Sequence, residues 1–258
     1  MLKRIIYQEL EKWKNNHTKK ALCITGARQI GKSTIAREFG KNNYKQVIEI
    51  NFIRSPEMKE IFQTPDPQTI YQRLVLMKKQ ELIEHETLLI LDEIQECPMA
   101  RTAIKFLVED GKIDLIETGS LLGVSIQDVK SYPVGFETIL PMFPMTFLEF
   151  LWALQIPESL IDHLKQCFNE KKPIDEVIHQ QMLDLFSVYM VVGGMPEAVQ
   201  IYCDTYDMAK VGAVQDAIID LYRMDIQKYA QRKDRLKILD VFDSIPGQLS
   251  AKNKRFKV

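Results

Sequence analysis

The sequence predicts an α/β fold, a parallel sheet flanked by helices, with an all-helical region after it. Short apolar runs alternate with segments of helical periodicity over about residues 1–145, which is typical of a parallel sheet with helical crossovers. From about residue 146 the helical periodicity continues with little strand signal. The change is one of pattern and not a visible linker, and we place the end of the α/β core there.

The predicted elements follow in chain order. An amphipathic helix over about residues 3–16 precedes the strand "KALCITG" and the helix "STIAREFGK". "KQVIEINF" alternates as a second strand, and Asp66 and Pro67 are suited to start the helix "DPQTIYQRLVLMKKQELIE". "TLLILDE" reads as a strand buried on both faces. "MARTAIKFLVEDGK" reads as a helix closed by Gly111, and "IDLIETGS" as a fourth strand. "PMTFLEFLWALQ" opens the helical region, where Pro196 of "GGMPEAV" is placed to begin a new helix.

Net charge, apolar runs and cysteine spacing restrict the classes of protein to which this chain can belong. The formal net charge is −1, from 34 Lys+Arg against 35 Asp+Glu, so the net charge does not support nucleic-acid binding, and any such contact would be local. Charges interrupt the N-terminus, which argues against a signal peptide, and no apolar run is long enough to span a bilayer. The four cysteines are scattered without metal-ligand spacing. We expect a cytoplasmic protein without a membrane span.

A glycine-bounded loop follows the first strand. Gly26, Gly31, Lys32 and Ser33 fit the spacing G-x-x-x-x-G-K-[ST] of a phosphate-binding P-loop. The backbone N–H groups of such a loop surround phosphates, the lysine reaches the β- and γ-phosphates, and the serine hydroxyl ligates Mg²⁺. The residues expected to contact the nucleotide are Gly26, Ala27, Arg28, Gln29, Ile30, Gly31, Lys32, Ser33 and Thr34.

Two acids end the third strand. Asp92 is suited to hold Mg²⁺ through a water, and Glu93 to orient the water that attacks the γ-phosphate. The alternative is that both acids merely begin a helix. The fourth strand ends in Thr118, Gly119 and Ser120, where a hydroxyl could report the state of the γ-phosphate. A turn satisfied by these hydroxyls is the alternative there.

Five motifs follow one another along the chain: "GARQIGKST", "LLILDEIQECP", "IETGSLLG", "LPMFPMTFLEFL" and "GGMPEAV". In these motifs and their order the chain resembles a group of prokaryotic AAA-type ATPases in which an ATPase core precedes a C-terminal domain of unknown function. The resemblance covers about residues 18–245. It implies a five-stranded AAA+ sheet in a core at 1–145 and a helical lid at 146–245. It also implies that 246–258 begins a C-terminal segment cut short here.

The resemblance also implies roles for individual residues. It assigns the phosphates to Lys32 and Ser33, Mg²⁺ to Asp92, the catalytic base to Glu93, the sensor position to Ser120 and restraint of the glutamate to Asn51. For Asn51, a turn residue at a strand end is an equally open alternative. The sequence departs from the group at Gly135-Phe136, where related sequences carry Gly-Arg, which puts an arginine function there in doubt.

Hydrolysis in this class is often completed by an arginine, in cis or from a neighbouring subunit. The candidates are Arg28, Arg101 and Arg223, and a solvated helix or loop residue is the favoured alternative for each. We therefore expect a Mg²⁺-dependent ATPase, an enzyme that couples ATP hydrolysis to movement of the lid or of a partner. A nucleotide-gated switch or scaffold with little turnover is the alternative. A homo-oligomer or an unknown protein partner fits either function.

Overall fold

The structure, a computed structural model, describes residues 2–16, 20–120, 135–230 and 232–250, without the side chains of Ser120 and Tyr229. The chain divides into two compact units, Met1–Pro196 and Glu197–Val258. The expected division at residues 145 and 245 stays a prediction. The change of pattern near residue 145 falls where the last strand of the described residues gives way to helices.

Five strands of the described residues form one parallel sheet in the first unit, in the order β2-β3-β4-β1-β5. They are β1 Ala21–Gly26, β2 Gln46–Asn51, β3 Thr87–Asp92, β4 Asp114–Ser120 and β5 Glu137–Pro141. Because all are parallel, their carboxyl ends meet at one edge of the sheet, where ligands of such sheets bind. The expected five-stranded parallel sheet is confirmed.

Helices of the first unit flank the sheet or follow it. They are α1 Ile6–Asn15, α2 Lys32–Asn43, α3 Pro67–Lys78, α4 Pro98–Asp110, α5 Phe147–Ala153, α6 Glu158–Glu170 and α7 Glu176–Val192. The Asp66 side chain accepts the Thr69 N–H at 2.8 Å, so the predicted cap of α3 is confirmed. That helix ends earlier than expected, because Lys79 adopts a left-handed conformation with φ of 53°. Gly111 closes α4 as predicted, with φ of 70°.

Apolar side chains cover both faces of the sheet. Every residue of β1 and of β3 is buried, whereas the edge strand β2 alternates between buried and half-buried positions. One core cluster joins the sheet to α3 and α4, and the other joins it to α1 and α2. Each fully buried Leu, Ile or Phe contributes roughly 1.5–3 kcal/mol by leaving water. This burial fixes the strand ends that carry the polar residues of the candidate site.

An aromatic cluster joins the two helices α5 and α7. The Phe147 ring lies 5.2 Å from the Phe186 ring and 5.6 Å from the Tyr189 ring, and the Tyr189 hydroxyl donates to the Met145 carbonyl at 2.8 Å. Such edge-to-face and tilted ring pairs stabilise a packed helix pair. The helical region after β5 therefore begins within the first unit.

The second unit consists of helices in the residues that the structure describes. They are α8 Pro196–Thr205, which begins at the last residue of the first unit, α9 Met208–Tyr229 and α10 Arg235–Ser250. The Tyr222 ring of α9 stacks on the Phe242 ring of α10 at 6.4 Å. The predicted start of a helix at Pro196 is confirmed. None of the described helices combines the length and the apolar character that crossing a bilayer requires.

Candidate functional site

The glycine-bounded loop lies between β1 and α2, at the edge where the parallel strands end. Gly26 and Gly31 have φ of 150° and 92°, a region that favours glycine. A Cβ atom at Gly26 would lie 2.2 Å from the Met142 carbonyl oxygen, so no larger residue fits. Helix α2 begins at Lys32, and the positive end of its dipole therefore lies at the loop. The motif has the strand–loop–helix setting that phosphate binding requires.

Lys32 bridges the two sides of this loop. Its Nζ donates to the carbonyl oxygens of Gly26 at 3.1 Å and of Ala27 at 2.6 Å. Burial lowers the pKa of the Lys32 ammonium, while the nearby carboxylates of Glu93 and Asp92 act in the opposite direction. The ammonium is thus held at the loop, partly removed from water, where its charge acts more strongly on an anion than it would in bulk solvent.

Asp92 is the centre of a hydrogen-bonded group. Its carboxylate accepts from the Ser33 hydroxyl at 2.7 Å, from the Asn51 amide at 2.6 Å and from the Thr118 hydroxyl. The sheet explains this convergence, because β3 lies between β2 and β4 and its last residue pairs in register with both neighbours. Oxygen ligands of this kind are those that Mg²⁺ prefers. The predicted metal-binding pair, Ser33 and Asp92, lies side by side.

Glu93 follows in a left-handed conformation, with φ of 57° and ψ of 48°. Such a backbone is uncommon for a residue other than glycine, asparagine or aspartate, and it turns the chain sharply after β3. The carboxylate accepts a hydrogen bond from the Gln95 side chain. Asn51, for which a restraint on Glu93 is implied by the resemblance, donates instead to Asp92. In the described hydrogen bonds, the side-chain amide that contacts the Glu93 carboxylate is therefore that of Gln95 and not that of Asn51.

The remaining predicted loop residues are placed differently from one another. Ile30 is buried in the core beneath the loop, whereas the side chains of Gln29 and Thr34 are exposed. The main chain of Ser120 pairs with the first glycine of the loop, but its side chain lies outside the described residues, so the sensor role stays a prediction.

The three candidate arginines have different surroundings. Arg101 is fully buried and pairs with Glu117 at 2.9 Å and Glu137 at 3.1 Å. Arg101 is therefore neither a solvated helix residue nor placed to act as an arginine finger, because its guanidinium is buried against Glu117 of β4 and Glu137 of β5. Arg223 is exposed and pairs with two aspartates of its own unit, and Arg28 is half-buried.

A thiol completes the buried cluster around Arg101. Cys23 of β1 lies in register with Glu117 of β4, and ligand atoms of Cys23, Glu117 and Glu137 lie within 4.8 Å of one another. These are metal-ligand types, but the Arg101 guanidinium already supplies the positive charge among them. Burial raises the pKa of the Glu117 carboxyl well above its usual range, and it also raises that of the Cys23 thiol. Burial therefore favours the protonated form of Glu117 more than exposure to solvent would.

Replacing Glu117 by glutamine is expected to change how stability depends on pH. The unfolded carboxyl ionises near pH 4.3, about its ordinary pKa, whereas the folded one keeps its proton to higher pH. The wild-type free energy of unfolding should therefore fall as pH rises from about 4.3 through the folded-state pKa. Urea unfolding over a series of pH values checks this. The free energy of unfolding of Glu117→Gln minus that of wild type should therefore increase as pH rises. If this difference is the same at every pH, the raised pKa assigned to Glu117 is wrong.

Sequence reasoning missed two buried residues at the back of the loop. Arg4 donates to the carbonyl oxygen of Ile30 at 2.8 Å and to the Glu149 carboxylate at 3.0 Å. Glu149 caps α5 in a reciprocal arrangement with Thr146. The spacing Thr-x-x-Glu is a sequence signal for that cap. Arg4 has no comparable signal, because its partners lie 26 and 145 residues away.

Comparisons with known proteins agree with this architecture. Residues 18–151 match the model of a family described as AAA domain, and residues 183–258 match a domain of unknown function (DUF8612). A search of curated proteins finds no match.

Three solved structures to which this chain is similar are the following. AMPPCP-bound DnaA from Aquifex aeolicus is 15% identical, with a TM-score of 0.45, over 96% of this chain and 70% of that one. PCH-2 of C. elegans is 9% identical, with a TM-score of 0.40, over 84% and 65%. The Holliday junction branch migration motor RuvB of Thermotoga maritima is 14% identical, with a TM-score of 0.38, over 62% and 52%. The chain thus spans less than two thirds of PCH-2 and about half of RuvB.

The AAA domain match covers 134 of the 258 residues, from 18 to 151, and includes the glycine-bounded loop, the acid pair and the five strands. A parallel sheet in the order β2-β3-β4-β1-β5 carries these elements, and helices follow it. The chain therefore belongs to the AAA domain family, with an AAA+ P-loop fold and a helical C-terminal region.

Proposed function

We propose that this chain binds ATP at the loop between β1 and α2 and hydrolyses it with Mg²⁺. The observation that carries the proposal is the convergence of Lys32, Ser33, Asp92 and Glu93 at the carboxyl edge of one sheet. Membership of the AAA family supports ATP binding and hydrolysis in general terms. The loop backbone and the Lys32 ammonium together would offset the charge of the triphosphate.

The donor set fits a magnesium ion. The Ser33 hydroxyl and the Asp92 carboxylate lie 2.7 Å apart, and both are oxygen ligands of the kind that Mg²⁺ takes. When bound, the ion would neutralise charge on the β- and γ-phosphates. Asn51 and Thr118 fix the orientation of the Asp92 carboxylate through their own hydrogen bonds. This orientation would hold the acid ready for the ion or for one of its water ligands.

Glu93 is the proposed catalytic base. It follows Asp92 directly at the end of β3, and the two carboxylates have different partners: Asp92 accepts from Ser33, and Glu93 accepts from Gln95. A carboxylate there can accept a proton from the water that attacks the γ-phosphate. The Gln95 amide contacts one carboxylate oxygen, and the other oxygen can receive that proton.

A phosphate-release assay tests the proposal. The purified chain is incubated with ATP and Mg²⁺, and the same reaction is run with the Mg²⁺ chelated. We expect steady release of phosphate that requires the ion. ATP binding with no release above the uncatalysed rate would support the second candidate, a nucleotide-gated switch. Absence of ATP binding would contradict both.

The switch candidate has one observation in its favour. Arg101 is enclosed in a buried ion-pair cluster, which removes it from the arginines that could complete hydrolysis. We propose that a neighbouring subunit or an unidentified protein partner supplies that group and that the isolated chain turns over slowly. The cytoplasm is the proposed compartment, and the four free cysteines fit a reducing setting.

A further inference from the structure

Arg4 lies behind the phosphate loop and joins three segments that are distant in sequence. Its side chain is 6% exposed. Its Nη1 donates to the Ile30 carbonyl at 2.8 Å, its Nη2 to the Phe143 carbonyl at 2.6 Å and its Nε to the Glu149 carboxylate at 3.0 Å. A planar guanidinium fixes all three directions at once. The N-terminal segment is thereby tied to the loop and to the connection between β5 and α5.

The contact with Ile30 determines the direction of a loop N–H group. In a planar trans peptide the C=O bond and the following N–H bond point in opposite directions. Arg4 holds the Ile30 oxygen towards the back of the loop, so the Gly31 N–H points away from Arg4. A Cβ atom at Gly31 would lie 3.9 Å from Arg4 Nη1, which places the guanidinium directly against this peptide.

Glu149 holds the guanidinium in its orientation. The carboxylate is 4% exposed. One of its oxygens accepts from Arg4 Nε and from the Ile5 N–H at 2.7 Å, and the other accepts from the Thr146 N–H at 2.7 Å. The carboxylate is therefore fixed from two sides, by the N-terminal segment and by the cap of α5. Because it cannot rotate without losing these bonds, it restricts the guanidinium that it pairs with.

We propose that Arg4 is a positioning residue for the triphosphate, which aims the Gly31 N–H into the loop by holding the Ile30 carbonyl outward. The inference rests on the proposed ATP-binding function. It assigns part of the affinity for phosphate to a side chain that does not touch the nucleotide. A lysine at this position would keep the charge but could not make the three directed contacts.

The test is the affinity of Arg4→Lys for ATP with Mg²⁺ and for inorganic tripolyphosphate, measured by calorimetry on folded protein. The matched control is Arg101→Lys, which makes the same substitution at a buried arginine whose ion-pair partners, Glu117 and Glu137, belong to β4 and β5 and not to the loop. We expect Arg4→Lys to raise both dissociation constants about tenfold, while the control lowers the unfolding temperature and keeps the wild-type constants. Glu149→Gln should raise both constants in the same direction by a smaller factor.

The outcomes separate the two proposals. If wild type binds neither ATP nor tripolyphosphate, the proposed function fails. If wild type binds both, and Arg4→Lys and Glu149→Gln bind them with wild-type constants, ATP binding stands and the positioning role is overturned. An equal loss of affinity in Arg101→Lys would also overturn it, because the loss would then follow from reduced stability alone.

Discussion

Replacing Glu93 by glutamine is expected to slow phosphate release on the order of 100- to 1,000-fold while ATP remains bound. Glutamine matches the shape of the side chain but cannot accept the proton of the attacking water. It can also keep a hydrogen bond with the Gln95 side chain, so the turn after β3 should survive. The effect should therefore fall on kcat and leave the dissociation constant for ATP within about twofold of wild type.

Phosphate release under saturating ATP, together with calorimetric titration of the same preparation, measures both quantities. Glu96→Gln is the matched control, because this acid lies in the same short turn, three residues along, and does not contact Glu93 through its side chain in the described hydrogen bonds. We expect the control to hydrolyse ATP at the wild-type rate. A Glu93→Gln variant that keeps the wild-type rate would show that another group accepts the proton.

Replacing Arg101 by methionine is expected to lower the free energy of unfolding by about 3–5 kcal/mol. Methionine fills much of the space of the arginine stem but leaves Glu117 and Glu137 without their shared cation. A carboxyl that stays ionised without Arg101 can take up a proton, but the hydrogen bonds that Arg101 donates to both glutamates are lost. Chemical denaturation measures the loss.

The control for this variant is Arg223→Met, which removes an exposed arginine from its aspartate pairs. Because such pairs are screened by water, its stability should stay close to that of wild type. If Arg101→Met does not fold, the triple variant Arg101→Met/Glu117→Gln/Glu137→Gln should recover folded protein, since no buried charge is then left unpaired. An Arg101→Met variant as stable as wild type would contradict the assigned ion pairs.

The sequence predicts the sheet edge well because its signals are local. The third strand is a continuous apolar run that ends in acids, and the first ends in a motif with fixed spacing. Once the strands are parallel, register alone brings Asn51 and Thr118 to Asp92. The identities of these partners follow from the order of the strands, which the alternation of strands and helices does not specify.

The buried charges could not be predicted in the same way. Arg101 lies in the first turn of α4, within an otherwise ordinary amphipathic pattern, and nothing local indicates that it enters the core. The signal available was Glu117, an acid within an apolar strand, since a buried carboxylate needs a partner. Arg4 acts through backbone oxygens of residues far along the chain, and such contacts leave no pattern in the sequence around it.

The most direct measurement is a calorimetric titration of ATP, with Mg²⁺ present, into wild type and into Lys32→Ala. The central claim is that the loop amides and the Lys32 ammonium together offset the charge of the triphosphate. We expect the variant to bind ATP about tenfold to 100-fold more weakly, as the loss of hydrogen bonds to a charged group implies, and to remain folded. A dissociation constant unchanged by Lys32→Ala would contradict the claim, because the triphosphate would then be held elsewhere or by other means.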